Sequence, residues 1–268
     1  SMPLQRLRFF TTSPRSGDDH SLSSSTVLQA LPTHDGHVFV NIMGGGVQEI
    51  TDDGLLRNNL HLTTIASVTA DEGLVQAMVE DRHGSIWLVR ETTIDKYDRK
   101  HNILSTFSAQ DIGYPVEFSE AKPLCRPDDG NLFMACNGCA ISFAPGDLRN
   151  SSVVPRIAFT SVRYQGDDQP QAILNSSVLE VPSDKRSLTI YFSALDYAGA
   201  SRVKYAYQLE GDGDKWNYVD DMHSASFNRI PHGHLRLLVR STNANGVWQN
   251  NTRALVIYAH PTFWESWM

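Results

Sequence analysis

The side chains able to do chemistry are few and scattered. Cys136-Asn137-Gly138-Cys139 is a lone Cys-x-x-Cys, and Cys125 is the third cysteine of the chain. Asn-Gly is a strong two-residue hairpin signal, so the two cysteines should face each other across a hairpin. Three readings stay open: two small strand-end residues, a cross-strand disulfide in an oxidising compartment, or half of a zinc site, for which no second ligand pair lies at a suitable spacing. Glu210, Asp212, Asp214, Asp220 and Asp221 cluster within twelve residues and could hold calcium, but not in the EF-hand pattern. His232-Gly233-His234 reads as a turn with no third metal ligand in view. Gly44, Gly45 and Gly46 lie between two strand-like runs, not ahead of a helix, so a turn explains them better than a phosphate cradle. Neither G-x-S-x-G nor H-E-x-x-H occurs. Acidic residues are plentiful, yet nothing singles out a carboxylate pair of the kind that hydrolyses glycosides. The expectation is a segment without catalysis, cofactor or metal.

The elements that would position these residues are those of a soluble protein. The chain has 268 residues, 41% of them hydrophobic and 20% charged, enough for one large domain or two ordinary ones. No apolar run approaches a bilayer-spanning length, and no leader sequence is evident. Ser1-Met2 reads as a tag remnant and an added start. The net charge of −7 lies entirely in residues 1–153, which carry 12 Lys/Arg against 19 Asp/Glu. Residues 154–268 are balanced. Neither half offers the basic surface that nucleic acid requires.

A repeat organises the first half. Residues 26–50, 73–98 and 120–148 each read as an apolar strand, an Asp/His-Gly turn, a second apolar strand, another turn and a third strand. The turn glycines are Gly36, Gly84 and Gly130. Outer fourth strands are expected at 63–69 and 103–108. Short strands recurring every 40 to 50 residues are the signature of β-propeller blades. Trp87, in the middle strand of its unit, is expected to fill the space between neighbouring sheets. Three blades cannot close a ring, so the chain is expected to be the C-terminal portion of a longer protein.

The texture changes near Val153. Seven alternating runs follow, at 156–164, 187–195, 203–209, 216–219, 225–230, 235–242 and 254–259, the spacing of a β-sandwich. Tyr205 and Tyr207 fall on one strand face. Trp216 and Trp248 are expected to cap or fill the sandwich, with a carbohydrate platform the alternative for an exposed Trp248.

These stretches resemble known families. "LSSSTVLQALPTHDG", "VEDRHGSIWLV" and the exit "FAPGDL" are similar to the two-component regulator propeller repeat. Departures are Val89-Arg90 and Thr93 in the second unit, and Phe133 where tryptophan is usual in the third. Ala194-Leu195-Asp196-Tyr197, Tyr205, Tyr207, Leu209, Gly211 and Trp216 resemble the domain named for its three tyrosines. Pro231, Gly233, Val239-Arg240, Asn243, Gly246 and Trp248 continue that match, with Leu235 where one of the tyrosines is usual. The resemblance implies an all-β chain: about three C-terminal propeller blades over 1–153, an immunoglobulin/fibronectin-like sandwich over 154–262, and a juxtamembrane stub over 263–268.

The function implied is extracytoplasmic sensing and signal relay in a hybrid two-component histidine kinase. The ligand would be an oligosaccharide held by the full propeller, and the location would be the periplasm. Partners implied are a second copy, paired through the sandwich, and a membrane reached just after the C-terminus. Phe263, Trp264 and Trp267 are the candidate membrane-proximal relay residues, since tryptophan favours the membrane–water interface. The competing readings are a carbohydrate-binding or adhesion module and an accessory part of a secreted glycan-active enzyme.

Overall fold

A computed structural model describes residues 21–50, 62–65, 73–118, 122–173, 178–195, 203–210, 215–219 and 222–262. It divides into two compact units, Ser1–Arg149 and Asn150–Met268.

In the first unit the repeat becomes three antiparallel meanders. The first is β1 (Val27–Pro32), β2 (Val38–Ile42), β3 (Gly46–Ile50) and β4 (Leu62–Thr64), paired in chain order. The second is β5 (Ala77–Glu80), β6 (Ile86–Val89), β7 (Ile94–Asp98) and β8 (Ile103–Phe107), again in order. The third has three strands among the described residues: β9 (Leu124–Cys125), β10 (Leu132–Cys136) and β11 (Cys139–Phe143). Each turn between first and second strands closes on its glycine at positive φ: 89° at Gly36, 80° at Gly84 and 76° at Gly130. A side chain at those angles is strained, which is why glycine recurs there. The one described helix, α1 (Ala109–Ile112), is a single turn held by a capping box between Ser108 and Asp111.

Alternation along the middle strands sets the packing. Phe39 of β2 is buried with Met78, Ile86 and Leu88 of the second sheet. One residue out of phase, Trp87 and Val89 of β6 are buried with Leu132 and Met134 of β10. A buried middle strand between two neighbours needs apolar residues on both faces, and "IWLV" supplies them.

The second unit is a two-layer sandwich. One sheet is β13 (Gln171–Ala172), β12 (Arg156–Tyr164), β15 (Leu188–Leu195) and β18 (Ser224–Phe227), in that order. The other is β14 (Val178–Val181), β20 (Arg253–Ala259), β19 (Gly233–Ser241), β16 (Tyr205–Leu209) and β17 (Asn217–Val219). Alternate residues of both sheets, among them Ile157, Ile190, Phe192, Tyr205, Leu237, Val239 and Ile257, form one buried core. Leu235, in the place of a tyrosine, packs against that core. Two short strands, β13 and β14, have no counterpart among the seven expected runs. β14 pairs in parallel with β20, a long-range contact that alternation along either strand alone does not reveal. The His232–His234 stretch is not wholly a turn either, because Gly233 and His234 already begin β19.

Candidate functional site

The most elaborate polar construction joins the start of the second unit to the loop between β19 and β20. Asn243 is buried, and its Oδ1 accepts from the backbone N–H of Asn245 and Val247, both at 3.0 Å. That side chain shapes the Asn-x-Asn-Gly turn in the manner of an Asx turn. Its Nδ2 donates to the Ser151 carbonyl at 2.9 Å. The Ser151 N–H donates in turn to Asn245 Oδ1 at 2.6 Å. Asn251 Nδ2 donates to the Pro155 carbonyl at 2.9 Å. Three asparagines thus hold residues 151–155, where the chain enters this unit. The last described strand is β20, whose final residue, Ala259, pairs with Gly233 at the start of β19. The clamped segment and Ala259 therefore lie at opposite ends of β20, on the order of 20 Å apart for a strand of this length.

Beside the clamp, on the outer face of the five-stranded sheet, Arg240 is ringed by aromatic side chains. Its guanidinium carbon lies 4.2 Å from the Trp216 ring centre, 5.1 Å from Trp248 and 5.9 Å from Tyr218. Arg240 also donates to the Tyr218 hydroxyl at 3.0 Å. Contacts of this kind contribute about 0.5–1 kcal/mol each when exposed. Of the two expected placements, capping or filling the sandwich, filling is not where Trp216 and Trp248 lie. They stand outside its core, and Trp248 is 38% exposed. The reason is register. Tyr218 and Arg240 both pair with Ala206, so the cluster sits on the face opposite Tyr205 and Tyr207.

Those two tyrosines belong to the core. Tyr205 is buried, packs on Phe192 and His223, and its hydroxyl accepts from the Ala194 N–H at 2.9 Å. Burial pushes its phenol above the ordinary range. Tyr207 meets Phe227 edge-on. Gly233 opens β19 at φ 104°. At the Ala259 end, the Tyr258 ring lies tilted against His234 and edge-on to His260, and His260 lies 3.7 Å from Glu180. Asp196, Tyr197, Gly211, Phe263, Trp264 and Trp267 lie outside the described residues, as does most of the acidic run proposed for calcium.

In the first unit, Trp87 is fully buried, and its indole N–H donates to Asp81 at 2.8 Å. A polar seam crosses from the first sheet to the second. His34 pairs with Glu80 at 2.6 Å, His37 with Glu49 at 2.7 Å, and Arg99 bridges Asp35 and Glu49 at 2.7 and 3.0 Å. One ligand atom each from His34, Asp35 and Glu80 lies within 4.8 Å of the others, close enough to raise the question of a metal. The carboxylates are already satisfied. Asp35 accepts from the Thr33 hydroxyl at 2.6 Å and from Arg99, and a guanidinium at that site disfavours a cation. The Thr33 hydroxyl, and after it Arg99, outweigh the opposing effect of desolvation and hold Asp35 far below the usual carboxylate range. Contacts up to 64 residues apart in sequence left no local signal of this seam. Cys136 and Cys139 are disulfide-bonded across their two-residue turn, and Cys125 is free. The turn's Asn137 N–H donates to the Glu117 carbonyl at 2.8 Å.

Comparison with known proteins adds three findings. Residues 196–259 match the Y_Y_Y domain family. Over 202 residues, 72% of this chain, the sequence is 23% identical to Histidine kinase P4 of Formosa agariphila, of which the match spans 15%. The fold is similar to the extracellular domain of the hybrid two component system BT3049 from B. thetaiotaomicron, with a TM-score of 0.60 at 22% identity, over 89% of this chain and 32% of that one. The resemblance to two-component sensor proteins drawn from the motifs is met by these matches. The chain spans a minor part of both relatives.

Proposed function

We propose that this chain is an extracytoplasmic sensing and relay segment of a hybrid two-component histidine kinase, with the first unit a part of a ligand-detecting propeller. The observation that carries the reading is the build of the second unit. Asn243, Asn245 and Asn251 grip the arriving chain at one end of the β19–β20 pair, and the chain departs at the other. A shift imposed on residues 151–155 is thereby passed to rigid, core-anchored strands and on towards Phe263, Trp264 and Trp267. Two copies paired through the sandwich would turn that shift into a change of spacing between two membrane helices. A ligand drives such a change only through different affinities for the two arrangements. The similarity to a histidine kinase and to an extracellular sensor domain supports the reading. The disulfide fits an oxidising, periplasmic setting. The segment itself has no catalytic role here, and a glycan-derived ligand is the class that the resemblance of its motifs to the regulator propeller repeat implies.

The test is the full gene product. A membrane-spanning stretch soon after Met268, and phosphotransfer that responds to oligosaccharides in reconstituted vesicles, are expected. A product with neither overturns the proposal. The exposed Tyr218–Trp248 pair favours a carbohydrate-binding module as the second reading, and oligosaccharide binding by a product with no kinase would establish it.

A further inference from the structure

The three sheets of the first unit repeat one packing relation, and the third shows only one side of it. Phe39, Trp87 and Phe133 each stand three places after the turn glycine of their sheet. Phe39 and Trp87 are fully buried against the sheet that follows. Phe133, the equivalent side chain of the third sheet, is 37% exposed. Leu124, directly opposite it on β9, is 46% exposed. Ala135 and Ala140 are exposed on the same face, while Leu132 and Met134 on the other face are fully buried.

We infer that the Phe133–Leu124 face is the docking surface for a further β-sheet of the same polypeptide, outside these 268 residues. The inference rests on reading the three sheets as consecutive propeller blades. The chemistry of the occupant follows from the two interfaces already formed. Phe39 meets Ile86 and Leu88, and Trp87 meets Leu132 and Met134. Phe133 therefore calls for a sheet whose second strand presents two aliphatic side chains in alternation. The side chains of Phe133, Leu124, Ala135 and Ala140 are apolar, with the exposed Ser142 paired to Phe133 as their polar neighbour, and such a patch suits an apolar sheet better than a polar partner. A second copy fits less well. The complementary surface it could offer, the far face of its first sheet, has Val40, Ile42 and Leu62 already buried. The two relatives also run far beyond the matched stretch, and a propeller needs at least about four blades to close.

The test compares this chain with the full gene product by hydroxyl-radical footprinting, which needs no substitution. Phe39, buried in both, is the internal reference. Oxidation of Phe133 should be at least about tenfold slower in the full product, as for a side chain moved from surface to core. In the shorter chain it should not depend on protein concentration. A Phe133→Cys variant in a Cys125→Ser background, probed with a hydrophilic maleimide, should show the same contrast. Equal rates in the two polypeptides overturn the inference. So does protection that rises with concentration in the shorter chain, which would mark a second copy as the occupant. A full product without a kinase or a membrane span would sink the sensing proposal yet leave this contrast intact, so the two fail separately.

Discussion

Asp81 shows how one side chain can organise a repeat unit. Its carboxylate accepts from the His83 and Ser85 N–H groups at 2.8 and 3.0 Å and from the Trp87 indole at 2.8 Å. It is 3% exposed, so removing it would strand three donors. Asp81→Ala is expected to cost about 2–3 kcal/mol, read by urea denaturation followed through tryptophan fluorescence. An unchanged midpoint would mean that the turn holds without it. Asp35 makes a prediction in acid. Its pKa is lower folded than unfolded, so it stabilises the protein above the unfolded value of about 4, and that contribution is lost as pH falls towards the folded value. Between pH 5 and pH 2, the melting temperature of Asp35→Asn should fall less steeply than that of the unaltered chain. Trp87 was legible in sequence as an inter-sheet side chain. The carboxylate that holds its nitrogen was not, because the motif shows spacing without direction.

At the scale of elements, the β19–β20 loop and the β10–β11 hairpin carry the sharpest expectations. Asn243→Ala removes a turn-forming acceptor and the donor to Ser151 together. Amide exchange at residues 151–154 should quicken and the sandwich should lose about 2 kcal/mol. Exchange unchanged at those residues would discount the clamp. For the hairpin, closing so short a loop is worth about 2 kcal/mol in the chain-entropy account. The Cys136→Ser/Cys139→Ser variant should be less stable by about that amount, and a reductant should bring the unaltered chain to the same midpoint. The hairpin itself was legible, since Asn-Gly between alternating strands admits few other folds. Sequence left its redox state open among three readings. β14 was not legible at all: four residues leave too short a pattern, and its parallel partner β20 is far along the chain.

At the scale of the whole molecule, charge and chain topology set what the protein meets. A net charge of −7, all of it from the first 153 residues, predicts no retardation of duplex DNA in a gel-shift assay at physiological salt. Salt-sensitive binding there would contradict that reading of the surface. The same totals do not speak for glycans, whose recognition rests on aromatic faces and hydrogen bonds rather than net charge.

The sequence by itself determined the all-β class, the three turn glycines with their meanders, the alternating strands of the second half, and the placing of Tyr205 and Tyr207 on one face. All of these follow from local periodicity and from backbone angles that only certain residues adopt. Tertiary structure alone decided that Trp216 and Trp248 surround Arg240 outside the core. It alone joined Asn243 to Ser151 and Arg99 to Asp35, and left Phe133 facing outward. Each of those outcomes depends on strand register or on side chains many residues apart: a slip of one residue in register would have turned Arg240 or Phe133 to the other face, and the loop contacts form only when the whole unit is folded.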